Sequence, residues 1–313
     1  MISYCRPLYN RDVVWNFMEN VLDIKSDDTS FVTTLNKIIE EERSSFNVDD
    51  TLKISVRNPN YRIKKDRDVL RNKIRNEMLT LKRLEKDDDV KLGVGGGLPI
   101  DSSVSAEKKA FFIMGLPASG KSSISASVCD MYGAFLLDAD LIKRKLPEFK
   151  RHRGASIVHE ESSIITNGGD LDGEKFKSIL ECCLEKGYNL CIPKIGAKIR
   201  NVLKFLDILK KYDYYNSIIL VSLEREKSVR RAFQRFLRTN RYVPLSLIFD
   251  GYANDPILCY YRLRTYLEDN NNRYFNEMMA ISSDVGYGAP FNIKDERFAL
   301  DILSKYLKNI KSK

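Results

Sequence analysis

The chain has 313 residues, with 52 Lys and Arg against 43 Asp and Glu, for a formal net charge of +9. Its 43% hydrophobic content is enough for a sizeable core, yet no run approaches the ~18 uninterrupted apolar residues of a membrane span. The opening Met-Ile-Ser-Tyr-Cys-Arg-Pro has no apolar signal-peptide core, so a cytoplasmic protein is expected, whether in the producing cell or in a host cell.

Residues 1–90 read as mainly helical. A short helix is expected over 35–42, and a longer one over 66–87, where Leu70, Ile74, Met78 and Leu81 share one face. The stretch Lys-Leu-Gly-Val-Gly-Gly-Gly-Leu-Pro-Ile-Asp-Ser-Ser from Lys91 to Ser103 reads as a linker extending to residue 108. Gly93 to Gly97 also resembles a phosphate loop, but no Lys-Ser follows and no clear strand precedes.

From residue 109 onward, apolar runs at 111–114, 134–137, 188–192 and 217–223 alternate with helical patterns at 122–131, 176–186 and 199–211. This alternation predicts an α/β fold, a parallel sheet flanked by helices, over 109–313, and the loop at 115–122 makes that sheet P-loop kinase-like. Further helices are expected at 265–280 and 295–311. The six cysteines have no C-x-x-C spacing, and most lie in apolar stretches, so buried thiols are expected rather than zinc ligands or disulfides.

Residues 115–122, Gly-Leu-Pro-Ala-Ser-Gly-Lys-Ser, match the phosphate-loop pattern G-x-x-x-x-G-K-[ST] without a mismatch, between a strand and a helix. The nucleotide-binding set is therefore Gly115, Leu116, Pro117, Ala118, Ser119, Gly120, Lys121, Ser122 and Ser123. Gly115 and Gly120 let the backbone turn its N–H groups toward phosphate, and the helix N-terminus adds positive potential. Lys121 is placed on the β- and γ-phosphates of ATP or GTP, and the Ser122 hydroxyl on Mg²⁺.

A second segment, Phe135-Leu-Leu-Asp-Ala-Asp, ends a short strand in Asp-x-Asp. Strand carboxyl ends face the ligand crevice of an open α/β sheet. Asp140 is the candidate base for an attacking hydroxyl and Asp138 the second Mg²⁺ residue, with helix capping as the bland alternative. A third segment, 229–244, is rich in arginine. On a helix Arg231, Arg235 and Arg238 share a face, where like charges repel unless an anion lies between them. A solvated face or a nucleic-acid patch is the other reading. In His159-Glu-Glu-Ser-Ser163, residues such as Glu161 and Ser162 are candidates for substrate contact or simply a charged helix start.

In order, Gly115–Ser122, Leu137-Asp-Ala-Asp-Leu-Ile-Lys143, Leu146-Pro-Glu-Phe149, His159-Glu-Glu-Ser-Ser163, Gly187-Tyr-Asn-Leu190 and the run from Arg235 to Pro244 resemble the zeta toxin family of P-loop kinases. The resemblance spans about residues 109–287. It implies an ATP- or GTP-dependent kinase acting on a sugar hydroxyl of a small molecule, such as UDP-N-acetylglucosamine or, in related effectors, NAD. By that pattern Lys121 contacts the nucleotide, Ser122 holds Mg²⁺, Asp140 is the base, and Arg241 with Arg235 or Arg238 clamps the phosphates. One departure stands out: the family carries an acidic residue after the third strand, where this chain has Pro193 and Lys194. A cation there favours a more anionic acceptor. Residues 1–108 lie outside the resemblance and are candidates for holding a protein partner or antitoxin. Competing readings are a polynucleotide 5′-hydroxyl kinase, supported by the basic charge, and a nucleotide-switched binding module.

Overall fold

A computed structural model describes residues 5–45, 48–85, 93–239, 241–269, 272–285, 289 and 291–311. The N-terminal region forms α1 (Arg11–Phe17), capped by Asn10, which accepts hydrogen bonds from the amides of Asp12 and Val13. A π-helical turn, Met18–Leu22, continues it, followed by α2 (Phe31–Ser45) and α3 (Lys64–Thr80). The helix expected at 66–87 thus ends at Thr80, where Leu81 turns extended; residues 86 and 87 lie outside the described residues.

The α/β region runs β1 (Lys109–Met114), α4 (Lys121–Tyr132), β2 (Phe135–Leu136), α5 (Ala139–Lys143), a 3₁₀ turn (Pro147–Lys150), α6 (Gly154–Ile157) and α7 (His159–Asn167). A small hairpin of β3 (Gly169–Leu171) and β4 (Glu174–Phe176) leads to α8 (Ile179–Glu185), β5 (Leu190–Lys194), α9 (Ile199–Lys211), β6 (Tyr215–Ser222) and α10 (Arg225–Thr239). The chain closes with α11 (Asp255–Glu268), β7 (Glu277–Ser282), β8 (Asn292–Asp295) and α12 (Asp301–Lys311). The main sheet has the order β2-β5-β1-β6-β7-β8, parallel except for β8.

Helices cover both faces, so the central strands are apolar on both sides. In β1, Ala110, Phe112 and Met114 enter one core cluster while Phe111 and Ile113 enter the other. Ile218 and Leu220 of β6 divide from Ile219 and Val221 in the same way. The N-terminal region joins these layers. Ile74 and Met78 of α3 lie in the first cluster. Val14, Phe17, Phe31 and Leu35 pack on Val229, Phe233 and Phe236 of α10. The N-terminal helices therefore brace the helix that carries Arg235.

Three expectations are corrected. The segment 265–280 is not one helix: α11 starts ten residues earlier, with Pro256 in its first turn, and ends at Glu268, while Glu277–Ser282 is a fully buried strand. The region 295–311 begins as the end of β8, and its helix starts only at Asp301. The helix expected over 176–186 is shorter because Phe176 closes β4 and Ser178 with Glu181 forms a capping box. The described part of the glycine-rich stretch is hydrogen-bonded into the fold rather than spanning open solvent. The Gly97 amide donates to the Met78 carbonyl (2.9 Å), and its carbonyl accepts from Leu136 (2.7 Å). A Cβ at Gly97 would lie 2.3 Å from the Phe135 ring, which explains a glycine there. Cys129, Cys183, Cys191 and Cys259 are buried free thiols. No helix among the described residues is long and apolar enough to cross a membrane.

Candidate active site

The site forms at the carboxyl edge of three adjacent strands, β2, β5 and β1. At Gly115 a Cβ would lie 2.6 Å from the Val221 carbonyl oxygen and 2.8 Å from Ser119 Oγ, so the loop leaves β1 where a side chain has no room. Gly120 caps α4 at φ 92°, and Ala118 is also left-handed at φ 59°. The loop thus turns its backbone back on itself directly before a twelve-residue helix, whose first amides lack intrahelical partners. The Ser122 and Ser123 side chains are exposed on that first turn.

Lys121 arches back over the loop, donating from Nζ to the carbonyl oxygens of Gly115 (2.9 Å) and Leu116 (2.6 Å). Burial pulls its ammonium down to about 8, against the attraction of Asp138 and Asp140, with Arg235 adding repulsion. The loop is held from outside by residues the sequence did not single out as site residues. Ser228 Oγ donates to the Pro117 carbonyl (2.6 Å), and Ser283 Oγ donates to that of Ser119 (2.6 Å). Arg231 in turn donates to Ser283 at Oγ (3.0 Å) and at its carbonyl (2.9 Å). Ser283 follows β7, the strand that was expected to be a helix. Once that strand is placed, the serine that follows it falls beside the loop.

Asp138 ends the β2 segment and caps α5, accepting from the Asp140 amide at 2.9 Å. Burial and the neighbouring Asp140 push its carboxyl up to about 6. Asp140 lies in the first turn of α5, with its carboxylate 2.9 Å from Lys143 Nζ. Burial raises its pKa, but Lys143, Arg241 and Arg235 outweigh that and hold it below the usual carboxylate range. The pair is therefore divided into one carboxylate that stays ionised and one that protonates near pH 6.

Lys194 ends β5, in register with Met114 of β1. Its Nζ donates to Asn167 Oδ1 (3.2 Å) and lies 5.8 Å from the Phe205 ring centre. Burial lowers its pKa while Asp138 and Asp140 pull it up, which places it in the same electrostatic neighbourhood as the acidic pair. His159, first in α7, is lowered by burial and by Lys143. Arg235 acts on Lys121 and Asp140; Arg241, its guanidinium 6.0 Å from the Phe149 ring centre, also acts on Asp140. Both also act on Arg144, which the sequence reading did not single out. Burial, Arg241 and Arg235 together pull its guanidinium down to about 10. Guanidinium groups this close repel, and an anion among them relieves that repulsion.

Three candidates are not brought into this cluster. Glu161 is fully buried and bound by Arg67 (2.5 and 2.9 Å) and Arg71 (2.7 Å), so it cannot meet a substrate. Ser162 is buried one position on, its Oγ donating to the His159 carbonyl at 2.8 Å. Arg238 is exposed near the end of α10; Arg241, beyond that end, is the residue that acts on Asp140. Asn240 and Tyr287, inside the stretch of resemblance, lie outside the described residues.

A phosphate loop at the edge of a parallel sheet, with an acidic pair and cations facing it, defines a phosphotransferase of the P-loop kinase-like class. Residues 100–254 match the zeta toxin family model, so that stretch of the chain is a zeta toxin domain. Among solved structures it is similar to one from the PezAT chromosomal toxin–antitoxin system of Streptococcus pneumoniae, at 13% identity and a TM-score of 0.47, covering 79% of this chain and 93% of that one. It is similar to a gluconokinase from Sinorhizobium meliloti 1021 at 15% identity and a TM-score of 0.32, covering 66% and 98%. The AvrRxo1-ORF1:-ORF2 structure with ATP matches at 15% identity and a TM-score of 0.44, covering 83% and 75%. These are similarities of chain path and carry no substrate or partner. No curated protein matches the chain.

Proposed function

We propose that the protein transfers the γ-phosphate of ATP or GTP to a hydroxyl of a small nucleotide-type molecule, such as a UDP-sugar or NAD. The observation that carries this reading is the meeting of Asp140, Lys194, Arg235 and Arg241 at the carboxyl edge that presents the phosphate loop. On binding, phosphate oxygens would replace the Gly115 and Leu116 carbonyls as partners of Lys121, and loop amides would receive the rest of the charge. The Ser122 hydroxyl, exposed on the first turn of α4, and the Asp138 carboxylate are hard oxygen donors that fit Mg²⁺. A bound Mg²⁺ supplies charge neutralisation of the phosphates. Asp140, ionised at neutral pH, takes the proton of the acceptor hydroxyl as that oxygen attacks the γ-phosphorus and the bond to the β-phosphate oxygen breaks. Arg235 and Arg241 balance the charge that spreads over the transferring group.

Pro193 or Lys194 stands where the zeta toxin pattern has an acid, and the cation there favours an acceptor with its own phosphates. A role as toxin or effector, with an antitoxin-type partner held by residues 1–108, belongs to the same proposal; Tyr9, Trp15 and Val32 are exposed apolar side chains there.

The test is transfer of label from [γ-³²P]ATP into UDP-sugars, NAD and 5′-hydroxyl oligonucleotides. Asp140→Asn is expected to lower the rate about 10²–10⁴-fold while nucleotide affinity is kept. A wild-type rate in that variant would overturn the base assignment. Label in oligonucleotides alone would replace this reading by a polynucleotide kinase. Nucleotide binding with no label in any acceptor would favour a nucleotide-switched binding module.

A further inference from the structure

A cavity of about 520 Å³ opens between α2 and the turn that leads into α6, lined by Asn36, Ile39, Glu40, Arg43, Ser44 and Arg153. Small-molecule sites commonly measure about 300–1,000 Å³. One wall, α2, lies outside the zeta toxin match; the other, Arg153, lies inside it. The cavity is therefore a property of this chain and not of the matched domain alone.

The braces around it reach the catalytic arginines. Glu41 stands 3.5 Å from His152, one residue before Arg153. Glu42, one residue before Arg43, is fully buried and accepts from the Tyr242 hydroxyl (2.7 Å), the Leu245 amide (2.6 Å) and Ser246 Oγ (2.5 Å). Tyr242 follows Arg241 directly. On the other wall, Gly154 packs so closely that a Cβ would lie 2.0 Å from the Phe149 carbonyl oxygen, and the Phe149 ring carries the Arg241 guanidinium. Both walls are thus joined, through Tyr242 and Phe149, to the segment that carries Arg241.

Its chemistry selects an anion. Arg43, Arg153 and Asn36 supply donors, Ile39 an apolar wall, and Glu40 a single carboxylate, while the Ser44 hydroxyl is spent on the Glu41 carbonyl (2.9 Å). Arg153 sits in the left-handed region at φ 58°. Its Nε is buried and, among the described residues, meets no hydrogen-bond partner. A buried guanidinium N–H without an acceptor and a strained backbone are both costly, and both fall on the residue that forms the cavity wall. An acceptor oxygen in the cavity would satisfy the first once the Arg153 side chain turned that N–H toward it.

We propose that this cavity binds the diphosphate of the phosphoryl acceptor, holding it on the side of Arg241 away from the phosphate loop. The assignment of that ligand as acceptor rests on the kinase reading; the anion chemistry of the cavity does not.

The experiment is calorimetric titration of pyrophosphate into the full chain saturated with a non-hydrolysable ATP analogue, so that the phosphate loop is already filled. NAD and a UDP-sugar serve as further titrants to separate a free diphosphate from a nucleotide. Arg153→Gln and, at an exposed position that spares the fold, Arg43→Gln are each expected to weaken binding about tenfold, the worth of one charge-assisted hydrogen bond. Glu40→Gln is expected to tighten it. Unchanged affinity in both arginine variants, or no binding by the loaded protein, would overturn the proposal. Phosphoryl transfer by the same variants separates the two readings. Arginine-dependent pyrophosphate binding with no transfer to any acceptor leaves the site standing and defeats the kinase reading. Transfer with an unchanged acceptor KM in Arg43→Gln and Arg153→Gln defeats the assignment of the cavity to the acceptor.

Discussion

Arg67→Met tests whether the N-terminal region is part of the catalytic unit. Arg67 is fully buried in α3 and holds two carboxylates from the α/β region. It donates to Glu148 at 2.8 and 3.2 Å and to Glu161 at 2.9 and 2.5 Å. Without it, Glu161 keeps Arg71 at 2.7 Å, while Glu148, also fully buried, keeps the Asn58 amide at 2.7 Å. The variant therefore leaves a buried carboxylate that has lost its cation, and breaking such a pair costs about 3–5 kcal/mol. Total stability is about 5–15 kcal/mol, so this is a large fraction of it. Melting should fall on the order of 10 °C, and the urea midpoint should fall with an unchanged slope. Because a buried ion pair is often replaceable by apolar groups, Arg67→Met combined with Glu148→Met should recover much of the loss. A single variant that melts within about 2 °C of wild type would refute the reasoning. So would a double variant that is no more stable than the single one. The same network predicts that removing residues 1–90 strands Glu148 and Glu161 together, so that the remaining chain does not fold as a stable unit.

The depressed Lys121 pKa makes nucleotide binding take up a proton. The free protein carries a partly neutral Lys121 above about pH 8, phosphate restores its charge, and the uptake should appear as a buffer-dependent binding enthalpy at pH 8.5 that shrinks at about pH 7.5, still above the titration of Asp138. For stability the sign is the reverse of a gained partner: the folded pKa lies below the unfolded value of about 10.5, so burial of the charged form is penalised below pH 8 and relieved as pH rises toward 10.5. Equal binding enthalpies in all buffers at pH 8.5 would contradict this. Lys194→Met removes a cation that lowers the Asp138 pKa. The acid limb of the rate profile should then move up from about pH 6, and the acceptor KM should rise; an unmoved limb would separate Lys194 from the acidic pair.

The phosphate loop was legible because its chemistry fixes residue types at fixed offsets: no side chain fits at Gly115, and Lys121 has to follow the turn. Strands β1 and β6 were legible as continuous apolar runs. The strand β7 was not, since Glu277-Met-Met-Ala-Ile-Ser uses several helix-favouring residues and all six positions are buried, which erases any period-two signal. Losing β7 also hid Ser283 and, through it, the role of Arg231. The misplacement of Glu161 has a different cause. A carboxylate inside a matched motif reads as a ligand for substrate until the fold brings Arg67 and Arg71 to it across 94 and 90 residues of sequence. Charge in a chain this basic has no meaning position by position. Arg57, Arg67 and Arg71 are drawn inward by Glu148, Glu161 and Asp172, whereas Arg144, Arg235 and Arg241 stand close enough to repel one another at the crevice. The two triads are alike in composition; the first is held by ion pairs inside the fold, whereas the second gathers near Asp140, where a bound phosphate would relieve its mutual repulsion.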